Sequence, residues 1–312
     1  MLTLADIQQA QTRIAPYVRR TPVIEARALS APVTEAKLTL KLESLQVTGS
    51  FKGRGAINKL LSLPKEAVEG GIVTASGGNH GLAVARAALI AGVPATIYVP
   101  ETITAAKVEK LKRYGADVVI GGAIWNESNE RALAFAAERN AAYFHPFADP
   151  MVIAGNGTTG LELIEDVPDL DVVLVVIGGG GLISGMGVAL KALKPNVRII
   201  GIEPVGSPTL KASLDAGHVV RLPAVTSKVA TMSCAETDPG VFDLVRNVVE
   251  DVVLVSDEDM LEAARFLWFE MGIAADLSGA AAIAALKTGK VRFGTGTSVG
   301  ALVCGAGPEG VA

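Results

Sequence analysis

From Gly71 onward the chain alternates short β-branched runs with alanine-rich stretches of helical length, and this alternation restricts the fold more than any other feature. "GIVTA" predicts a strand, "NHGLAVARAALIAG" a helix closing at Gly92, "ATIYV" a strand, "TAAKVEKLKRYG" a helix and "ADVVI" a strand. "NESNERALAFAAERN" and "AAYFH" add one more helix and strand. After "PFADP" (146–150) the pattern restarts with "DVVLVVI", "LISGMGVALKAL", "VRIIGIE" and "SPTLKASLDAG". It then runs through "DVVLVS" and "DEDMLEAARFLWFEMG" to "SVGALVCGAG". Strands joined through helices pair in parallel, so an α/β fold is expected, with two parallel-rich sheets flanked by helices.

Residues 1–66 hold an amphipathic N-terminal helix and the alternating strand "LTLKLE", which needs a sheet to join. The second lobe is its expected home. The division is then a discontinuous large domain, 1–66 with 148–312, and a small α/β domain, 67–147. Half of the 312 residues are apolar, enough for two cores. Residues 221–239 show no period and read as loop. The uncharged run 172–190 has the length of a membrane span, but four consecutive glycines break it into strand, turn and helix, so no membrane association is expected.

A net charge of −4 without basic clusters offers no footprint for a phosphate backbone, which excludes nucleic acid as an expected partner. Cys234 and Cys304 are far apart and lack a His or Cys at ligand spacing, arguing against a disulfide framework or a zinc site. Asp6 and Arg13 interrupt any secretory signal, so a cytoplasmic protein is expected.

Chemistry concentrates in three places. Gly178–Gly181 follows a buried strand and opens a helix, where backbone N–H groups and the helix dipole suit a phosphate; four glycines exceed what the turn alone needs. The run continues into Leu182, Ile183 and Ser184, so it matches neither the P-loop nor G-x-G-x-x-G. Glu203, ending the next strand, keeps a nicotinamide enzyme open as an alternative. The turn "SGGNHG" (76–81) forms a second nest that suits a substrate carboxylate, with donors on Ser76 and Asn79. His80 gets no acid–base role. Lys52 lies in "VTGSFKGRGA", read as a glycine-flexed loop beside Phe51; partial burial would make its amine nucleophilic toward an aldehyde cofactor.

Taken together, these residues resemble the fold-type II pyridoxal-phosphate enzymes, specifically the serine/threonine dehydratase and serine racemase family, over nearly the whole chain. "KLESLQVTGSFKGRGA" is similar to the lysine motif, "SGGNHG" to the Asn-loop and "GGGGLISG" to the phosphate loop. "HPFADPMVIAGNGTTGLEL", "GIEP", "SGAAAIAAL" and "LVCGAG" follow in the family's order. The resemblance implies that Lys52 carries the cofactor as a Schiff base and moves the α-proton. It places Phe51 beside the ring and Asn79 on the ring 3′-oxygen. It assigns the phosphate to Gly178, Gly179, Gly180, Gly181 and Leu182, and the substrate carboxylate to Ser76, Gly77, Gly78, Asn79 and His80. Cys304 falls against the pyridine nitrogen, where a neutral thiol leaves the nitrogen largely unprotonated.

The reaction so implied is α,β-elimination of water from L-threonine or L-serine, giving a 2-keto acid and ammonia. A small amino-acid substrate and a homodimer or higher homo-oligomer are expected. Alternatives are β-replacement and racemisation on the same cofactor. Gly77 stands where the racemases carry a serine, which disfavours racemisation. No metal site is expected: Glu203 is the one candidate ligand, and Ser207, Pro208 and Thr209 occupy the region of the partner aspartate. Segment 226–237, "TSKVATMSCAET", departs from the family's Thr-Ile-Ala-Asp-Gly, and the chain ends without room for a C-terminal regulatory domain.

Overall fold

The computed structural model describes residues 2–123 and 125–311; Met1 and Ala312, the outer bounds of the expected large domain, lie outside them. Among the described residues, ten strands and eleven helices form two sheets with parallel pairing dominant. The six-stranded sheet runs β1 (Val23–Glu25), β2 (Lys37–Leu42), β10 (Ser298–Val303), β7 (Val172–Val176), β8 (Arg198–Pro204), β9 (Asp251–Val255). Only the β1–β2 pair is antiparallel. The four-stranded sheet runs β5 (Ala116–Ile120), β4 (Ala95–Val99), β3 (Ile72–Ala75), β6 (Ala142–Tyr143), all parallel. β7 is Val-Val-Leu-Val-Val and buried throughout, as a central strand with both faces covered must be.

The helices are α1 (Leu4–Ile14), α2 (Lys52–Ser62), α3 (Asn79–Ala91), α4 (Ala105–Arg113), α5 (Trp125–Arg139) and α6 (Pro150–Asp166). They continue with α7 (Gly181–Leu193), α8 (Thr209–Ala216), α9 (Pro239–Val248), α10 (Asp257–Met271) and α11 (Leu277–Lys287). Their ends follow side-chain chemistry. Thr3 with Asp6, and Ser256 with Asp259, form reciprocal capping boxes on α1 and α10. Asp149 and Asp238 each cap a helix whose first residue is proline, on α6 and α9. The run 172–190 is β7, a turn and α7, and among the described residues no helix is long and apolar enough to cross a membrane.

One reading fails. The stretch after Lys52 is no flexed loop; Lys52 is the first residue of α2. Its glycines serve helix contact. A Cβ at Gly55 would lie 2.7 Å from Asn156 Oδ1 and 2.8 Å from the Val152 carbonyl, and one at Gly155 would lie 2.6 Å from the Arg54 carbonyl. α2 and α6 thus meet backbone to backbone.

Beneath this crossing lies a buried ionic cluster. Arg54 reaches Glu43 through Nε (2.9 Å) and Nη2 (2.7 Å), and Glu162 through Nη1 (2.7 Å). Lys41 Nζ donates to Glu162 at 2.7 Å and to the Thr21 carbonyl at 2.7 Å. The cluster joins β2, α2 and α6, so the element that begins with Lys52 is pinned from below.

Candidate active site

The lysine is set by an unusual turn. Thr48 and Gly49 have φ of 70° and 78°, so two successive residues occupy the left-handed region before α2 begins. Ser50 then bridges Gly305, and Phe51 N donates to the Cys304 carbonyl at 3.2 Å. The start of α2 is thereby fastened to the end of β10. Lys52 is half-buried, and its amine is desolvated; Nζ donates to the Pro146 carbonyl at 2.6 Å and lies 5.0 Å from the Phe51 ring centroid.

Burial lowers the Lys52 amine from 10.5 to about 8, opposed by nearby thiols. That opposition is weak at neutral pH, because burial raises both thiols, Cys234 to about 11 and Cys304 well beyond the ordinary range. No carboxylate acts on the amine to hold it charged. Loading of the protein with an aldehyde should therefore rise steeply with pH up to about 8 and then level off. Stopped-flow absorbance over a pH series checks this; a rate still climbing toward 10.5 would place the amine in water.

The glycine run is held as tightly. A Cβ at Gly179 would enter the Phe147 ring at 2.2 Å, one at Gly181 would meet the Phe147 carbonyl at 2.3 Å, and Gly180 has φ of +96°. The surplus of glycine thus has a packing cause as well as an electrostatic use. The first bonds into α7 leave the amides of Gly181, Leu182 and Ile183 without intrahelical partners. The start of α3 repeats this for Asn79, His80 and Gly81.

Ser76 Oγ accepts from Gly78 N at 3.4 Å and so closes the second turn, while a Cβ at Gly77 would lie 2.7 Å from Ile103 Cδ1. His80 Nε2 bonds the Phe144 carbonyl at 3.0 Å, and burial drops this ring to about 3, so it is neutral. Asn79 Nδ2 donates to Asp276 Oδ2 at 2.9 Å.

Glu203 stands apart. Its two oxygens accept from Leu210 N (2.8 Å) and Lys211 N (2.9 Å), so it caps the start of α8. Burial raises its carboxyl to about 7. Among the described residues no cluster of three or more His, Cys, Asp and Glu is placed to hold a metal ion.

Three contributors escaped the sequence reading. Thr231, in the divergent segment, lies across both turns: its Cγ2 would be 3.6 Å from a Cβ at Gly78, and its carbonyl 3.0 Å from one at Gly178. Phe147 floors the glycine run, and Asp276 meets Asn79. Only Asp276 left a local signal, an aspartate opening an alanine-rich helix in "DLSGAAAIAAL".

Residues 14–305 match the family model described as "Pyridoxal-phosphate dependent enzyme". The chain belongs to that family. Among its relatives in the pyridoxal-phosphate dependent family, an L-threonine ammonia-lyase of Thermotoga maritima is 41% identical over 286 residues, covering 92% of this chain and 71% of that one. A catabolic L-threonine dehydratase of Staphylococcus aureus is 37% identical over 294 residues, covering 94% and 84%. A solved maize serine racemase superposes with a TM-score of 0.92 at 35% identity, covering 98% and 93%. The processed form of threonine deaminase isoform 2 from Solanum lycopersicum gives 0.89 at 31%, covering 97% and 83%. The cofactor is pyridoxal phosphate, and the nicotinamide alternative falls.

The residues present fit that group. It needs an amine that readily gives up its proton, and burial lowers that of Lys52 to about 8; it needs amides free to meet a phosphate, and the head of α7 has them on a turn whose glycines let it pack directly on Phe147. Cys304 supplies the neutral group implied for the ring nitrogen. The walls of this site come from α2, the two glycine turns, the 226–237 segment and the ends of β10 and α11.

Proposed function

We propose that this chain removes water from L-threonine or L-serine, releasing 2-oxobutanoate or pyruvate together with ammonia. The observation that carries the reading is the Lys52 amine, desolvated without a carboxylate partner beside two amide-rich turns. Pyridoxal phosphate supplies an electron sink that makes the substrate α-hydrogen removable as a proton. Lys52 Nζ, whose burial makes it give up its proton near pH 8, holds and moves that proton. The amides at the heads of α7 and α3 receive the phosphate and the substrate carboxylate. Asn79 Nδ2 would hold the 3′-oxygen, and Phe51 would lie beside the ring. Cys304, kept neutral by burial, would meet the ring nitrogen without supplying a charge to hold a proton there, so the ring would act as a weaker electron sink.

Racemisation would need a second proton carrier opposite Lys52, and Gly77 cannot provide one; Ile103 already fills the space a side chain there would take. Free thiols at Cys234 and Cys304 support a reducing compartment such as the cytoplasm. Leu29 (84% exposed) and Phe269 (67% exposed) flank the bond from Ser30 N to Glu270 Oε2, and this pairing of exposed apolar residues on neighbouring segments is what supports a homo-oligomer.

The test is borohydride reduction of the loaded protein with peptide mapping, followed by keto-acid assay over a panel of 3-hydroxy amino acids. The expected result is label on Lys52 and keto acid from threonine, serine or both. Label elsewhere, or keto acid from neither substrate, would reject the reading.

A further inference from the structure

Asp276 is the N-cap of α11 and sits where the two sheets' elements meet. Its Oδ1 accepts from Gly279 N at 2.6 Å and from Ser278 Oγ at 2.6 Å, while Oδ2 accepts from Asn79 Nδ2 at 2.9 Å. Its own backbone N–H donates to the Gly305 carbonyl at 3.0 Å, and a Cβ at Gly305 would lie 2.6 Å from Oδ2 and 2.9 Å from Asn79 Nδ2. Ser278 Oγ also accepts from the Cys304 thiol at 3.5 Å. Donors therefore run from Cys304 to Ser278 to Asp276, and from Asn79 to the same carboxylate.

Capping requires only one oxygen. The second is spent on a side chain of α3, an element of the other sheet, and Asn79 is the residue proposed to meet the cofactor's ring oxygen. An asparagine amide presents either two N–H donors or a carbonyl acceptor to a given neighbour, and the two differ by a flip that costs little unless a partner forbids it. A carboxylate only accepts. It therefore commits one N–H of Asn79 to itself, which leaves the other N–H of the same nitrogen available as a donor to a group bound in the site.

We infer that Asp276 is a positioning residue that locks the Asn79 amide with its NH2 group toward the cofactor ring oxygen, and that through Ser278 it also turns the Cys304 proton away from the ring nitrogen. The inference rests on the reading proposed for Lys52 and Asn79.

Two variants separate clamping from capping. Asp276→Asn is isosteric, but it can place an amide nitrogen against Asn79 and reverse the flip. Asp276→Ser keeps a good helix cap while being too short to reach Asn79. Both are loaded with pyridoxal phosphate, alone and on an Asn79→Ala background. Cofactor affinity by equilibrium dialysis, the visible spectrum over a pH series, and thermal melting are then recorded. Each single variant is expected to weaken cofactor binding about tenfold and to move the visible band to shorter wavelength. On the Asn79→Ala background each should add less than about twofold, since one interaction cannot be lost twice. Asp276→Glu, still acceptor-only, should recover part of the affinity. Variants whose spectrum and affinity match the parent, or whose losses add fully to those of Asn79→Ala, would overturn the inference. A parent protein with no lysine-linked visible band would instead strike at the proposed function.

Discussion

Lys52→Ala lowers keto-acid release from threonine or serine by about four orders of magnitude and removes the visible absorbance of the loaded protein. The size follows from two roles resting on one atom: the amine that holds the aldehyde also transfers the α-proton. Nothing nearby can take over. His80 is neutral with a ring poised near 3, and its Nε2 is occupied by the Phe144 carbonyl. Lys52→Arg should be as inactive, because a guanidinium stays protonated and is not nucleophilic. Stability should not fall with activity, since burial already works against this amine's charged form. Steady-state assays, absorption spectra and thermal melts on the parent and both variants check the triad of outcomes. Turnover of the alanine variant within about tenfold of the parent would remove Lys52 from the chemistry.

Arg54→Ala destabilises the fold by about 3–5 kcal/mol, the largest stability effect expected of any single substitution near the site. Arg54 is 1% exposed and bonds both Glu43 and Glu162; without it two buried carboxylates face each other with Lys41 alone to offset them. Burial by itself would raise the Glu162 carboxyl, but hydrogen bonds and charge from Arg54, aided by Lys41, override that and hold it below its ordinary 4.5. A carboxyl depressed in the fold contributes stability above its unfolded value, and that contribution is lost as pH falls through the folded value. In the variant the depression disappears and protonation becomes the relief. Its deficit should therefore be greatest near neutrality and shrink toward pH of about 4.5. Denaturant midpoints measured at neutral and acid pH decide this; a deficit that is small, or the same at both, would mean the cluster is open to water.

The parallel-sheet strands could be read directly from sequence because their burial on both faces writes itself as unbroken runs such as "DVVLVVI". The helices following them carry alanine and a glycine stop, as at Gly92 and Gly272, where φ of 70° and 68° ends the turn. α2 was illegible for the opposite reason. Gly53 and Gly55 lower its intrinsic helicity, and what restores it is the α6 backbone, about a hundred residues further along the chain. α6 itself carries Gly155, Gly157 and Gly160 for the same kind of close approach, and its sequence shows no helical pattern for that reason.

Within the site, Lys52 and the two glycine turns announce themselves by local density of unusual residues. Thr231 does not. It sits in an aperiodic stretch and acquires its place only because Ser207, Thr209 and Asp257 hold that stretch, through bonds to Cys234, Ser227 and Lys228. Asp276 gave away its helix cap but not its second partner, which lies across a separation of 197 residues.

The pairing of β2 with β10 has a bearing on how the protein is made. Lys37–Leu42 lies in register with Ser298–Val303, so an early-synthesised strand has to wait, unpaired on that side, for one made much later. Closing such a loop is slow, and the waiting edge is open to wrong neighbours in the meantime. Because Cys304 and Gly305 follow directly on β10 and fasten the turn before Lys52, the vitamin pocket cannot be completed until that strand has been made, and nascent chains halted before it should remain colourless.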